Sequence, residues 1–102
     1  MGAQGTATLD FGAFPGASDA SVAVTGQATI GAGSLVECWL LPAATADHSA
    51  DEHLVESLKV VAGNIVPTTG FTIFGINMNQ LMDPQGRASR LYGQWNIGWV
   101  WN

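Results

Sequence analysis

Charged residues are scarce in this sequence, which has three cations and eight acids among 102 residues. They make up 11% of the chain, about half the share found in an average soluble domain. With a net charge of −5 and no cluster of Lys or Arg, the sequence excludes the electrostatic pattern of a nucleic-acid-binding protein. A surface this poor in charge is typical of protein–protein contacts, whose centres are depleted of charged residues.

Cysteine is nearly absent as well, since Cys38 is the only one. A single cysteine cannot build an internal disulfide framework or a cysteine-rich zinc site. The sequence also lacks the nucleophile elbow, the phosphate-binding loop and the metalloprotease motif. We therefore expect a protein that is not an enzyme and that carries no cofactor.

Long apolar runs are missing too. The longest uncharged stretch, residues 60–82, is interrupted by Gly63, Pro67, Asn77 and other polar or turn-forming residues, which argues against a membrane span. The first ten residues have neither a basic leader nor an apolar centre, so no signal peptide is expected.

Turn-forming residues recur at short intervals, and the segments between them are rich in Val, Ile, Thr, Phe and Trp. This spacing is typical of an all-β protein. We predict one domain over residues 1–102, a single antiparallel β-sandwich of jelly-roll-like architecture with seven to eight strands. Residues 1–8 are interpreted as an extended N-terminal arm that adds a strand to the sheet of another subunit.

The last segment has the cleanest alternation. Its apolar residues share one face of the predicted strand: Leu91, Trp95, Ile97, Trp99 and Trp101. Gly93 and Gly98 within it predict a bend or the close approach of a neighbour. We expect Trp39 to meet this strand across the sandwich.

The four tryptophans fit two uses, namely an ordinary sandwich core or a platform for a sugar or a neighbouring subunit. Trp101 is the tryptophan that we most expect to contact a partner.

Residues 51–62 support two interpretations. Their apolar positions have a helix-like spacing, but they also alternate in the manner of an exposed strand. Because the neighbouring segments all have strand patterns, we predict a loop through residue 52 followed by a strand.

Residues 46–56 hold both histidines and four of the eight acids. His48, Asp51 and His53 are the candidate metal ligands because Asp and His are common ligand types, but their spacing matches no defined metal motif. A solvent-facing loop is therefore favoured over a structural metal site.

Five residues are the candidates for contacts with a partner: Phe14, Arg87, Arg90, Tyr92 and Trp101. The two arginines follow a predicted β-turn over residues 83–86. On an otherwise acidic surface they are suited to ion pairs with a neighbour, which set register more than they add affinity.

Four sequence blocks resemble small structural proteins of tailed bacteriophages: TADHSADEH at residues 45–53, VVAGNIV at 60–66, TGFTI at 69–73 and LYGQWNIGWVWN at 91–102. The resemblance runs from about Ala7 onward. It implies an all-β virion protein that decorates or cements the capsid, and it carries over no catalytic residue.

On this interpretation the chain is assembled in the host cytoplasm and ends on the capsid surface of the virion. It binds the major capsid protein and copies of itself, with a trimer expected, and it binds no nucleic acid or membrane. The alternative is a phage fibre, tail or head-surface module that binds host glycans or another virion protein. A small metal-dependent enzyme that uses His48, Asp51 and His53 is the third hypothesis.

Overall fold

The computed structural model describes residues 2–13, 16–55, 58–77 and 91–102. These ranges contain six strands and one short helix: β1 (Ala3–Asp10), β2 (Asp19–Val24), β3 (Val36–Leu40), α1 (Ala50–Val55), β4 (Leu58–Val66), β5 (Gly70–Asn77) and β6 (Gln94–Trp101). No helix within the described residues has the length and apolar content needed to cross a bilayer.

The strands form two antiparallel sheets of three strands each. The β6 sheet has the order β1-β6-β3, and the β5 sheet has the order β2-β5-β4. Strand β1 packs beside β2 and β3 packs beside β4, so the two sheets lie face to face with one core between them. The predicted all-β sandwich is confirmed.

The predicted number of strands is wrong for the described residues, which contain six rather than seven or eight. Residues 25–35 and 41–49 form turns and loops instead of further strands. Their glycines and Pro42 favour turns, and a proline cannot donate the ladder hydrogen bond that a central strand requires.

Residues 3–8 of the predicted N-terminal arm belong to β1, so the expectation of an extended arm is wrong for them. Their backbone pairs with β6 of the same chain, from Ala3 opposite Trp101 to Thr8 opposite Asn96. This pairing uses the edge of β1 that faces β6 and makes residues 3–8 the outer strand of the chain's own sheet.

The predicted loop through residue 52 is also wrong, because residues 50–55 form α1. The predicted strand that follows is present as β4, which begins at Leu58. The segment therefore uses both of its sequence patterns, the helical one first and the alternating one afterwards.

The inward face of β6 carries the centre of the core, as its alternation predicts. Trp95, Ile97, Trp99 and Trp101 are all at most 6% exposed. The ring of Phe71 in the opposite sheet meets Trp99 edge-on at 5.5 Å between centroids. Large aromatic side chains remove the most apolar area from water, so this strand dominates the burial that holds the two sheets together.

Two isoleucines on opposite faces of β5 test this arrangement. Ile73 is fully buried, whereas Ile76 is 44% exposed on the outer face. We expect Ile73→Ala to lower the free energy of unfolding by about 2–5 kcal/mol, because it leaves a cavity in the core. The matched change Ile76→Ala should cost about 1 kcal/mol or less, since it creates no cavity.

Urea denaturation of both variants at one low protein concentration measures the two losses. Equal losses would contradict the assignment of the two faces of β5.

Candidate functional site

Helix α1 begins at a capping box formed by Ser49 and Glu52. The Ser49 backbone N–H donates to Glu52 Oε1 at 2.9 Å, and the Glu52 backbone N–H lies 3.4 Å from Ser49 Oγ. This reciprocal arrangement satisfies two amide groups at the start of a helix. The pattern Ser-x-x-Glu at residues 49–52 is the sequence signal that points to this helix, and the loop interpretation overlooks it.

His48 is buried between α1 and the start of β6, with only 5% of its surface exposed. Its Nε2 donates to the carbonyl oxygen of Tyr92 at 2.6 Å, and its Nδ1 lies 2.9 Å from Glu52 Oε2. The imidazole stacks on the indole of Trp95 at 3.8 Å between centroids. Only the doubly protonated ring donates through both nitrogens, so this pocket is built for an imidazolium.

The pKa of His48 reflects two opposed effects. Burial disfavours the positive charge, but the hydrogen bond to the Tyr92 carbonyl and the bond and charge of Glu52 outweigh it, and the pKa of His48 is raised above 6.5. The pKa of Glu52 is lowered from 4.5, first by the Ser49 N–H and then by His48. The contact between His48 and Glu52 contributes to both shifts, beside the backbone hydrogen bond that each group makes separately.

His53 is equally buried, at 3% exposure, but it needs the opposite protonation state. Its Nδ1 donates to the Ser49 carbonyl at 2.8 Å, and its Nε2 accepts the backbone N–H of Asn96 at 3.0 Å. An acceptor nitrogen carries no proton, so this ring is neutral. Through His53, α1 is hydrogen-bonded directly to β6.

Asp47 and Thr45 extend the same connection along the loop that precedes α1. Asp47 Oδ2 accepts the Gln94 N–H at 2.8 Å, and Thr45 Oγ1 donates to the Gln94 carbonyl at 2.9 Å. Gly93 has φ +77°, and a Cβ at that position would lie 2.6 Å from the Asp47 Cβ. Glycine is therefore required at residue 93 both for the backbone conformation and for the approach of Asp47.

The geometry argues against the candidate metal site. All four ring nitrogens of His48 and His53 are engaged in hydrogen bonds within the chain, and Asp51 is exposed on α1. Among the described residues, no group of three His, Cys, Asp or Glu side chains is placed to hold a metal ion. The structure uses these histidines to attach α1 to β6, so the expectation of a solvent-facing loop is wrong for the two rings.

Cys38 lies in β3 and is half-buried. Burial, with a smaller contribution from the charge of Glu37, raises the pKa of its thiol to about 11. The thiol is therefore protonated at neutral pH, the form that is a poor nucleophile and metal ligand.

The candidate interface residues have different environments. Trp101 is 3% exposed, and its indole N–H donates to Gln27 Oε1 at 2.8 Å, so the expectation that it contacts a partner is corrected: it is a core residue. Tyr92 is 38% exposed. Phe14, Arg87, Arg90 and the predicted turn over 83–86 lie outside the described residues.

Trp39 is the tryptophan that reaches the surface. It belongs to the β6 sheet, where it pairs with Gly98. The expectation that it meets the last strand from the opposite sheet is therefore wrong. Its side chain is 43% exposed, and a Cβ at Gly98 would lie 2.6 Å from the indole Nε1, so the ring covers the glycine. Trp39 shares a strand face with the charged Glu37, which is the sequence signal that indicates an outward position.

The outer face of the β5 sheet carries a contiguous group of exposed apolar side chains. Val61, Phe74 and Ile76 are 48%, 46% and 44% exposed, and Asp19 and Lys59 border them. We call this surface the β5 patch. Scattered apolar side chains are normal on a surface, whereas a contiguous group bordered by charged residues is typical of a protein–protein contact.

The ion pair of His48 predicts how stability depends on pH. The pKa of His48 is higher in the folded state than its ordinary value of 6.5. Such a group stabilises the fold fully at a pH below its pKa in the unfolded state, and this stabilisation is lost as the pH rises through its pKa in the folded state. Glu52, whose pKa is lowered, contributes above 4.5 and loses its effect as pH falls through its folded value. We expect the free energy of unfolding to fall from about pH 6 to about pH 8 in the wild type, and to fall less in His48→Gln.

An NMR titration of the His48 ring protons isolates the pair. The midpoint should lie above 6.5 in the wild type and move down in Glu52→Gln, which removes the charge but keeps the side chain that the capping box needs. Asp51→Asn is the matched control, because it removes an exposed acid from the same helix. Equal midpoints in the two variants would show that the Glu52 contact does not set the pKa of His48.

Comparison with known proteins gives no assignment. No family model matches the chain, and no curated protein or solved structure is significantly similar to it. The resemblance to phage structural proteins therefore stays a prediction from the sequence blocks.

Proposed function

We propose that this chain is a structural protein of a tailed-phage virion that decorates and cements the capsid by binding the major capsid protein and copies of itself. The β5 patch is the observation that supports this role best. Three large apolar side chains stand exposed side by side on it in a chain with only 11% charged residues. Covering apolar surface is the main driving force of protein association.

The scaffold suits such a role mechanically. Each sheet is antiparallel and pairs its central strand, β6 or β5, on both sides, and α1 is hydrogen-bonded to β6 through His53. A cement protein works as a rigid connection that transmits load between neighbouring capsid subunits, and it needs no catalytic group. Many identical contacts repeated by the symmetry of a capsid give large avidity even when each contact is weak.

The proposal places the chain on the capsid surface after assembly in the host cytoplasm. The resemblance of residues 45–53 and 91–102 to phage structural proteins supports the virion assignment, and the β5 patch supports the assembly role. The two lines of support are independent, since the first comes from sequence blocks and the second from exposed side chains.

A comparison of phage heads that contain this protein with heads that lack it tests the proposal. We expect purified particles to contain it in a copy number comparable with that of the capsomers, and heads without it to release DNA at a lower temperature. Adding the purified chain back should restore the release temperature, because the added contacts oppose the internal pressure of the packaged DNA. Particles that contain only a few copies, or an unchanged release temperature, would contradict the cement role.

A second candidate function is a module that binds host glycans, and Trp39 is the observation that favours it. Its indole is 43% exposed and lies over Gly98, with Gln4 and Thr6 lining the same shallow depression. An exposed aromatic ring provides a flat apolar surface on which a sugar ring stacks, while neighbouring polar side chains bond its hydroxyl groups.

A glycan array measures this alternative directly. If the chain is a glycan-binding module, Trp39→Ala should lower the array signal at least about tenfold, as expected for the loss of a central aromatic contact. Phe74→Ala is the matched control, because Phe74 is a similarly exposed aromatic residue on the other sheet. Absence of any glycan signal from the wild type would remove the alternative.

A further inference from the structure

The register of the β5 sheet arranges the β5 patch in rows across its three strands. In one row Ile76 of β5 lies between Asp19 of β2 and Lys59 of β4. In the next outward-facing row Phe74 lies between Ser21 and Val61. The centre line of the patch is therefore apolar, with a negative charge on one side and a positive charge on the other.

Asp19 and Lys59 lie on strands that are not neighbours, so their Cα atoms are well separated. Two strand spacings separate them, about 10 Å between Cα atoms, with the Ile76 side chain in between. Within the described ranges neither side chain makes an ion pair with another residue of the same copy. Their charges are available to a molecule that lies on the patch.

A two-fold axis that runs along β5, in the plane of the contact, exchanges the two sides of the patch. It places β2 of one copy over β4 of the other, so each Asp19 faces the partner copy's cation, while Ile76 and Phe74 face their own counterparts. An axis perpendicular to the strands through the Ile76 row would place Asp19 over Asp19 and Lys59 over Lys59. Like charges oppose association, so only the first arrangement is favourable.

We infer that the β5 patch binds a second copy of this chain across a two-fold axis along β5, with two reciprocal Asp19–Lys59 contacts around an apolar centre. The patch is complementary to itself, which is the requirement for an isologous contact. Packing of two sheets face to face through apolar side chains is also the geometry that already forms the core of each copy. The inference rests on the proposed assembly role and names the partner that covers this face. It replaces the trimer expected from the sequence with a two-fold dimer.

The size of the patch sets the expected strength. Three strands of six to nine residues present a face of roughly 400 Å², about half of the 800 Å² per partner that a stable interface of standard size buries. We therefore expect a weak dimer with a dissociation constant on the order of 10 µM. On a capsid, the high local concentration would keep such a contact occupied.

Reversal of the charges tests the geometry. Sedimentation of the full chain from about 2 to about 200 µM brackets a micromolar dissociation constant. The wild-type mass should rise with concentration from 10.6 kDa toward twice that value. Asp19→Lys and Lys59→Asp should each weaken the dimer at least about tenfold, because each variant brings like charges together at both contacts.

The double variant Asp19→Lys/Lys59→Asp should restore dimerisation to within about threefold of the wild type, since it re-creates opposite charges at both contacts. Glu37→Lys is the matched control, because it reverses an exposed acid on the other sheet and should leave the dimer unchanged. Circular dichroism of every variant verifies that each one is folded.

A wild-type chain that stays monomeric at the highest concentration, a trimer, or a double variant as weak as the single ones would overturn the inference. Binding to capsid heads is measured separately on the same variants. A chain that dimerises but does not bind heads supports the dimer and contradicts the cement role. A monomeric chain whose head binding is lost in Asp19→Lys supports the cement role and assigns the patch to the capsid protein instead.

Discussion

The burial of one face of β6 is the constraint on which the rest of the structure depends. This strand is the centre of its sheet, so its backbone is paired on both sides, by β1 and by β3. Its inward side chains, three of them tryptophans, fill the space between the sheets. Because side chains alternate along a strand, a one-residue shift of β6 against both of its neighbours would turn these rings toward water. The register of the β6 sheet is thereby fixed by the hydrophobic effect.

Two buried histidines secure the start of this strand through different protonation states. In its protonated form His48 lies between Glu52, a carbonyl oxygen and the face of Trp95, whereas His53 accepts a backbone N–H of β6 through a ring nitrogen that carries no proton. A cation over an indole face is attractive, and a buried acceptor that satisfies a backbone amide avoids a desolvation penalty. The densest polar segment of the chain thus has a structural use, because it connects α1 and its loop to the strand that carries the core.

The two outer faces of the sandwich differ in chemistry. The face of the β5 sheet is an apolar row with opposite charges at its sides, and the face of the β6 sheet carries one exposed indole beside Gln4 and Thr6. The first is suited to covering by another protein surface, and the second to a flat polar ligand. Where charged residues are scarce, the fold leaves apolar side chains unburied, and on the β5 face three of them lie side by side.

Much of the fold follows from the sequence, because period-two alternation is a local property. The inward positions of residues 91–101, of Val24 and of Phe71 and Ile73 were all predictable from the pattern of apolar residues, as was the all-β class. The helix at residues 50–55 was predictable as well, from Ser49 and Glu52 three residues apart, although the strands around it favoured another interpretation.

What only the tertiary structure decided is which of these local elements meet. The sequence contains no signal that His48 stacks on Trp95, 47 residues away. It also does not indicate that both nitrogens of this imidazole make hydrogen bonds within the chain, which leaves neither of them to bind a metal ion. It also identified the wrong exposed tryptophan: Glu37 on the strand face of Trp39 indicates an outward position, but the burial of Trp101 at the end of its strand depends on the opposite sheet that covers it. Alternation defines two faces for each strand, but the core lies on the face that another sheet covers, and that depends on contacts between residues far apart in the chain.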